Sequence, residues 1–321
     1  MKMILLFTCA LVVSACGQQK PAVSSPAGYD FNNPVVYKMP AELREISGLA
    51  FYQGDPSMIF AEQDEQGNLY QLRPQETTAK AINFGADGDY EDLALAGGQA
   101  ILLRSDGTLY SFPFQPSRIE ATAGKAEDVK EWKDLLPKGE YEGLYADASA
   151  DNLFVLCKDC AVDRHQSQVT IYKLNTVKDS ASAGTDHAGG WALSGTFQIN
   201  TEEIASLLSS DDGVETPEVS DKQNKKNKKG KAGKKAKALN FKPSALSWNN
   251  RDQRWFVLSS VNKLLVLADA NWQVQEVYPL DPALFPQPEG IAFDSTGDLY
   301  ISNEGPAGEK GTILKFPYLH P

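Results

Sequence analysis

The sequence predicts an all-β protein folded as a β-propeller, with five blades and six as the alternative count. Two observations carry that prediction. A short phrase (an acid, a small residue, an apolar pair) recurs along the chain, and each copy leads into two apolar strands. The copies start 45, 51, 102 and 45 residues apart, and repeats of about 40 to 50 residues with several strands each are the propeller signature. Helical periodicity of any consequence is confined to residues 202–209.

The elements follow in chain order. Lys2 is a short positive region and residues 4–13 are apolar. A stretch of about ten residues is too short to span a bilayer but right for a signal peptide. It ends in Val13, Ser14, Ala15 and Cys16, which resembles the lipobox of bacterial lipoproteins, where the cysteine thiol is acylated before cleavage. We therefore expect a signal peptide over 1–15 and a lipid anchor, palmitate included, on Cys16; an ordinary signal peptide with a coincidental cysteine is the alternative. Residues 16–30, rich in Gln, Pro, Ala and Ser, read as a flexible tether. Gly17 is not the Asp that retains many lipoproteins at the inner membrane, so the expected location is the cell envelope, at the outer membrane. No later apolar stretch approaches a membrane span.

The propeller is expected over 31–321. Its first repeat is 45–49 (Glu-Ile-Ser-Gly-Leu) with strands at 58–61 and 68–72, and its second is 90–94 (Tyr-Glu-Asp-Leu-Ala) with strands at 100–103 and 108–112. The third is 141–145 (Tyr-Glu-Gly-Leu-Tyr) with 152–156 and 169–174. The fourth is 243–247 (Pro-Ser-Ala-Leu-Ser) with 255–258 and 263–267. The fifth is 288–292 (Pro-Glu-Gly-Ile-Ala) with 299–302 and 312–316. Fourth strands are visible at 79–84, 191–199 and 274–280. The last repeat stops after three, and an open sheet edge invites aggregation. Residues 33–38 (Asn-Pro-Val-Val-Tyr-Lys) have no repeat of their own, so they are expected to pair with 312–316 and close the ring.

The double-length gap before the fourth repeat reads as a polar insertion at about 201–240. Residues 222–237 hold nine lysines and no acid; such a segment cannot pack and reads as a solvated loop, with a contact to anionic lipid or polysaccharide as the alternative. Taking those nine charges from the formal −11 leaves −20 on the rest. So acidic a body argues against nucleic acid and for cationic partners or bound metal.

The phrases at 45–49, 90–93, 141–144 and 288–293, with 299–304 (Leu-Tyr-Ile-Ser-Asn-Glu), resemble the SdiA-regulated family of envelope β-propellers. The similarity runs over about 35–316, apart from the insertion. It implies a five-bladed propeller with a calcium site and no assigned reaction.

Inner strands line a propeller's channel, so residues at their starts gather at one mouth. Glu45, Glu91, Glu142 and Glu289 are expected there, with Ser244 in the fourth repeat. Converging carboxylates must either rise in pKa or be neutralised by a cation. Oxygen-only ligands suit Ca²⁺, and the family implies the same. The alternative is that the glutamates accept backbone N–H bonds between blades. The second strands bring Asp64, Asp106, Asp159 and Asn303 near this mouth, as ligands or as turn formers. Residues 87–92 lack the twelve-residue spacing of a calcium loop. Cys157 and Cys160, with His165 and Asp163 nearby, read as a local disulfide rather than a zinc site. Nucleophile, phosphate-loop and zinc-protease motifs are missing, and His165, His187 and His320 lie outside the repeated strands. The expected function is a membrane-anchored binding module with Ca²⁺ at its channel, taking a small molecule, glycan or protein at the mouth. A calcium-dependent hydrolase of lactones or phosphoesters and a scaffold lipoprotein are the alternatives.

Overall fold

Short apolar runs separated by polar turns can satisfy their backbone groups only by pairing with their neighbours in sequence. In the computed structural model, which describes residues 23–118, 124–177, 190–210 and 239–320, they do so four at a time. The expected signal peptide, Cys16 and the lysine run lie outside the described residues. Strand β1 (Val35–Lys38) stands alone before the first blade, β2 (Ile46–Ala50), β3 (Ile59–Gln63), β4 (Gln66–Leu72) and β5 (Lys80–Asn83). The second blade is β6 (Tyr90–Ala96), β7 (Gln99–Arg104), β8 (Leu109–Pro113) and β9 (Lys130–Trp132). The third is β10 (Gly139–Ala146), β11 (Asn152–Cys160), β12 (Gln168–Thr176) and β13 (Trp191–Asn200), followed by helix α1 (Thr201–Ser210). The fourth is β14 (Ala245–Asn249), β15 (Arg254–Ser259), β16 (Leu264–Ala268) and β17 (Val274–Pro279). The fifth holds β18 (Pro288–Phe293), β19 (Leu299–Asn303) and β20 (Thr312–Phe316), and its outer strand is β1.

The molecule is a five-bladed β-propeller, each blade an antiparallel sheet. The ring closes as the open edge of β20 requires: Val35 pairs with Lys315 and Lys38 with Thr312. Closure reaches further back than the expected tether boundary at residue 30. Tyr29 and Phe31 are buried among Phe256, Leu265, Ile301 and Phe316, and Tyr29 Oη donates to the Gly297 carbonyl at 2.9 Å. Burial of these two aromatic side chains offsets part of the cost of ordering the chain there.

The core lies between neighbouring blades rather than at the centre. Ile101 and Leu103 of the second blade meet Leu153 and Val155 of the third, and Val257 and Val266 of the fourth meet Ile171 and Ile199 of the third. Strand β9 carries no alternating pattern (Lys-Glu-Trp), which is why the sequence does not reveal it. Helix α1 occupies the start of the expected insertion, because Ile204 is buried against Ile199, Phe241 and Trp272.

Candidate functional site at the acid mouth of the channel

Each inner strand enters the ring at the same face, and in four blades it enters through a β-bulge. The pairing slips between Ile46 and Leu49, Tyr90 and Asp92, Tyr141 and Gly143, and Pro288 and Gly290. The fourth blade pairs regularly from Ala245 to Asn249. A bulge re-aims a side chain, and here it explains the recurring phrase. The residue before each glycine or its substitute faces the channel, while the glycine passes close to the neighbouring blade. A Cβ on Gly48 would stand 2.5 Å from Asp92 Oδ1, and one on Gly290 would stand 2.3 Å from the Ser47 carbonyl oxygen. In the second blade Asp92 replaces the glycine and becomes a clamp. Its carboxylate accepts from the Leu93 N–H at 2.8 Å and, across the blade junction, from the Leu144 N–H at 2.7 Å. Ser302 Oγ to the Ser47 carbonyl and Ser244 Oγ to the Pro288 carbonyl join further blades in the same way.

This register corrects one expected site residue. Counted back from Leu49, Leu93, Leu144, Leu246 and Ile291, the channel position is held by Ser47, Glu91, Glu142, Ser244 and Glu289. Glu45 lies two residues upstream, level with Asp89 and Gln287. The N–H groups of Asp64, Ser105 and Glu304 donate to the carbonyls of Glu45, Asp89 and Gln287 respectively. The Glu45 side chain pairs with Arg44. The first phrase thus carries Ser47 at the channel position and its acid two residues earlier.

The acids the sequence missed come from the second strand. Glu62, within an otherwise apolar run of β3, is fully buried. One of its oxygens accepts from the Gly48 N–H at 2.6 Å, and the other has no partner among the protein atoms. Asp64 Oδ1, two residues on, is likewise buried and unpartnered, as are both polar atoms of the Asn303 side chain.

Burial dominates the electrostatics. It pushes Glu62 well above the usual carboxylate range, with Asp92, Asp64 and Glu304 adding repulsion. Burial, then Glu142 and Glu304, lift Glu289 to about 8; burial, then Asp64 and Glu45, lift Glu304 to about 7. Asp64 rises to about 6 through burial and Glu45. Glu91 and Glu142 form a hydrogen-bonded carboxyl pair, and burial raises both, so Glu91 holds a proton at neutral pH. Lys158 supplies a built-in counter-charge by pairing with Glu142 and, at 3.2 Å, with Glu140. Burial alone would lower its pKa; the two carboxylates hold it above the ordinary lysine value.

The remaining second-strand candidates are turn formers and ion-pair partners. Asp106 pairs with Arg104 at 2.6 Å, and that hydrogen bond holds its carboxyl at about 2. Asp159 accepts from Lys242 Nζ at 2.9 Å. Cys157 and Cys160 are joined by a disulfide, so the cluster they form with Asp163 is not a metal site. Among the described residues no three carboxylates bring one oxygen each within 4.8 Å of one another. Neither Glu45, Glu91, Glu142 and Glu289 nor Glu62, Asp64 and Glu304 therefore form a closed set of ligands in this conformation. The buried oxygens without protein partners lie toward the first blade, at Glu62 and Asp64, within electrostatic reach of Glu304 and Glu45. The opposite mouth is different: a cavity of 890 Å³ lined by Tyr52, Tyr145, Trp248, Phe293 and Arg251.

Comparison with known proteins bears on the fold and the family. No curated protein matches the sequence. Among solved structures, Myxococcus xanthus glutaminyl cyclase is similar with a TM-score of 0.51 at 14% identity, over 89% of this chain and 96% of that one. A Trichoderma reesei carbohydrate-active enzyme of family AA12 is similar with a TM-score of 0.45 at 13% identity, over 96% and 99%. At such identities the likeness concerns the fold alone. The family model for SdiA-regulated proteins matches residues 203–307, from helix α1 into the fifth blade. The chain is thus a five-bladed β-propeller that carries the SdiA-regulated family's sequence over residues 203–307.

Proposed function

We propose that the protein is a lipid-anchored binding module of the cell envelope whose acid mouth takes a divalent cation, Ca²⁺. The observation that carries this reading is the pair of buried carboxylate oxygens without partners, Glu62 Oε2 and Asp64 Oδ1. Both side chains belong to a group of acids raised in pKa by burial and mutual repulsion. A buried polar atom left unpaired costs about 1–3 kcal/mol, and a hard cation with oxygen ligands relieves it. Glu62, Asp64 and Glu304 would hold the ion, which would supply positive charge that Lys158 gives only to the Glu142 side. Cys16 would tie the module to the outer membrane through its acyl chains, with a small molecule, glycan or protein as the ligand at the mouth. Thermal unfolding at pH 8 with millimolar Ca²⁺ tests the cation. At the affinity of extracellular-type sites, about 10⁻⁴ to 10⁻³ M, the gain is roughly 1 kcal/mol. The expected result is a rise of a few degrees in Tm for the wild type and none for Glu62→Gln; no rise for the wild type overturns the reading.

A further inference from the structure

The acid mouth has a side compartment of mixed charge. A pocket of 340 Å³ opens between the third, fourth and fifth blades, and Lys158, Lys242 and Lys263 share its lining with Ser244, Ser260, Glu142 and Glu289. Three ammonium groups at one pocket stand out in a chain whose charge outside the lysine run is −20. Two of them are neutralised. Lys158 pairs with Glu142 and Glu140, and Lys242 Nζ pairs with Asp159 at 2.9 Å. Lys263 differs. Its Nζ donates to the Pro286 carbonyl at 2.7 Å, and it forms no ion pair among the described residues. Burial lowers its pKa, and the nearby Glu289 offsets that only in part.

Lys263 sits in the turn between β15 and β16 at φ 51°, in the left-handed region where glycine is the unstrained choice, one of nine such non-glycine positions among the described residues. Beside it, Glu289 accepts a hydrogen bond from Ser260, and burial raises its pKa to about 8. Pro243, Val261 and Pro286 add apolar wall.

We propose that this pocket is a subsite for an anionic group, a carboxylate or a phosphate, held by the ammonium group of Lys263, with the ion-paired Lys242 beside it. Lys263 carries the site whether or not a cation occupies the channel, so it is tested in EDTA. Isothermal titration at pH 7 and constant ionic strength uses inorganic phosphate and succinate as separate probes. The wild type binds at least one with a dissociation constant in the millimolar range, and the tighter probe identifies the anion class. Lys263→Gly relieves the backbone, so its Tm is no lower than that of the wild type, while binding weakens at least tenfold. Lys263→Met, which keeps the stem, weakens it equally, and Lys263→Arg stays within threefold. Binding of neither probe by the wild type, or binding by the Gly and Met variants as tight as that of the wild type, overturns the proposal. Loss of Ca²⁺ binding alone leaves these titrations unchanged and counts only against the cation reading.

Discussion

The recurring phrase at the head of each inner strand does two jobs with adjacent residues. One position faces the channel and the next passes the neighbouring blade at backbone distance. Gly290→Ala would press a methyl group against the Ser47 carbonyl and against Ser302 Oγ, 2.3 and 2.6 Å from the new Cβ. We expect a loss of about 1–3 kcal/mol, as for other overpacked sites, measured by urea unfolding. Gly195→Ala in β13, where a Cβ meets nothing within 4 Å, serves as the control and should be close to neutral. Asp92→Ala should cost a similar 1–3 kcal/mol, because it strands the buried Leu144 N–H. The sequence shows Glu91, Glu142 and Glu289 because the phrase repeats around them. It hides Glu62, which interrupts an apolar strand where no repeat marks it. It misplaces Glu45, because the first phrase aligns on its acid, whereas Leu49 sets the register and puts Ser47 at the channel position.

At the level of elements, four-strand blades and the closing strand were legible because apolar runs alternate with turns and β20 needed a partner. The contribution of residues 25–31 was not, since only Tyr29 and Phe31 interrupt a polar segment there. Burial of such side chains stabilises by about 1.5–3 kcal/mol each. Tyr29→Ala with Phe31→Ala should therefore lower stability by several kcal/mol, and deleting 23–38 should expose the edge of β20 and cause association visible by light scattering. Disulfide reduction should act more locally. The Cys157–Cys160 bridge closes the short loop that carries Lys158, the counter-ion of Glu142.

For the whole molecule, the anchor is tested by Cys16→Ser, which should move the protein from membranes to the soluble fraction and abolish labelling by palmitate. The acidic channel makes a pH prediction with a definite sign. Glu289, Glu304 and Asp64 hold protons in the native state, up to about 8, 7 and 6, that the unfolded chain has already shed. Their contribution is therefore full below about pH 4 and is lost as pH rises through 8, by up to about 1.4 kcal/mol per pH unit for the buried Glu289 and less for the screened pair. Asp106 works oppositely: its lowered carboxyl gives stability above about pH 4 that is lost as pH falls toward 2. Metal-free protein should thus be more stable near pH 5 than at pH 8 in denaturant titrations. The most direct measurement is isothermal titration with Ca²⁺ at pH 8 on the wild type and on the Glu62→Gln, Asp64→Asn double variant. The wild type should bind with a dissociation constant of about 10⁻⁴ to 10⁻³ M, and the variant at least tenfold more weakly. Equal binding by the two proteins, or no binding by the wild type, would contradict a cation site at the acid mouth.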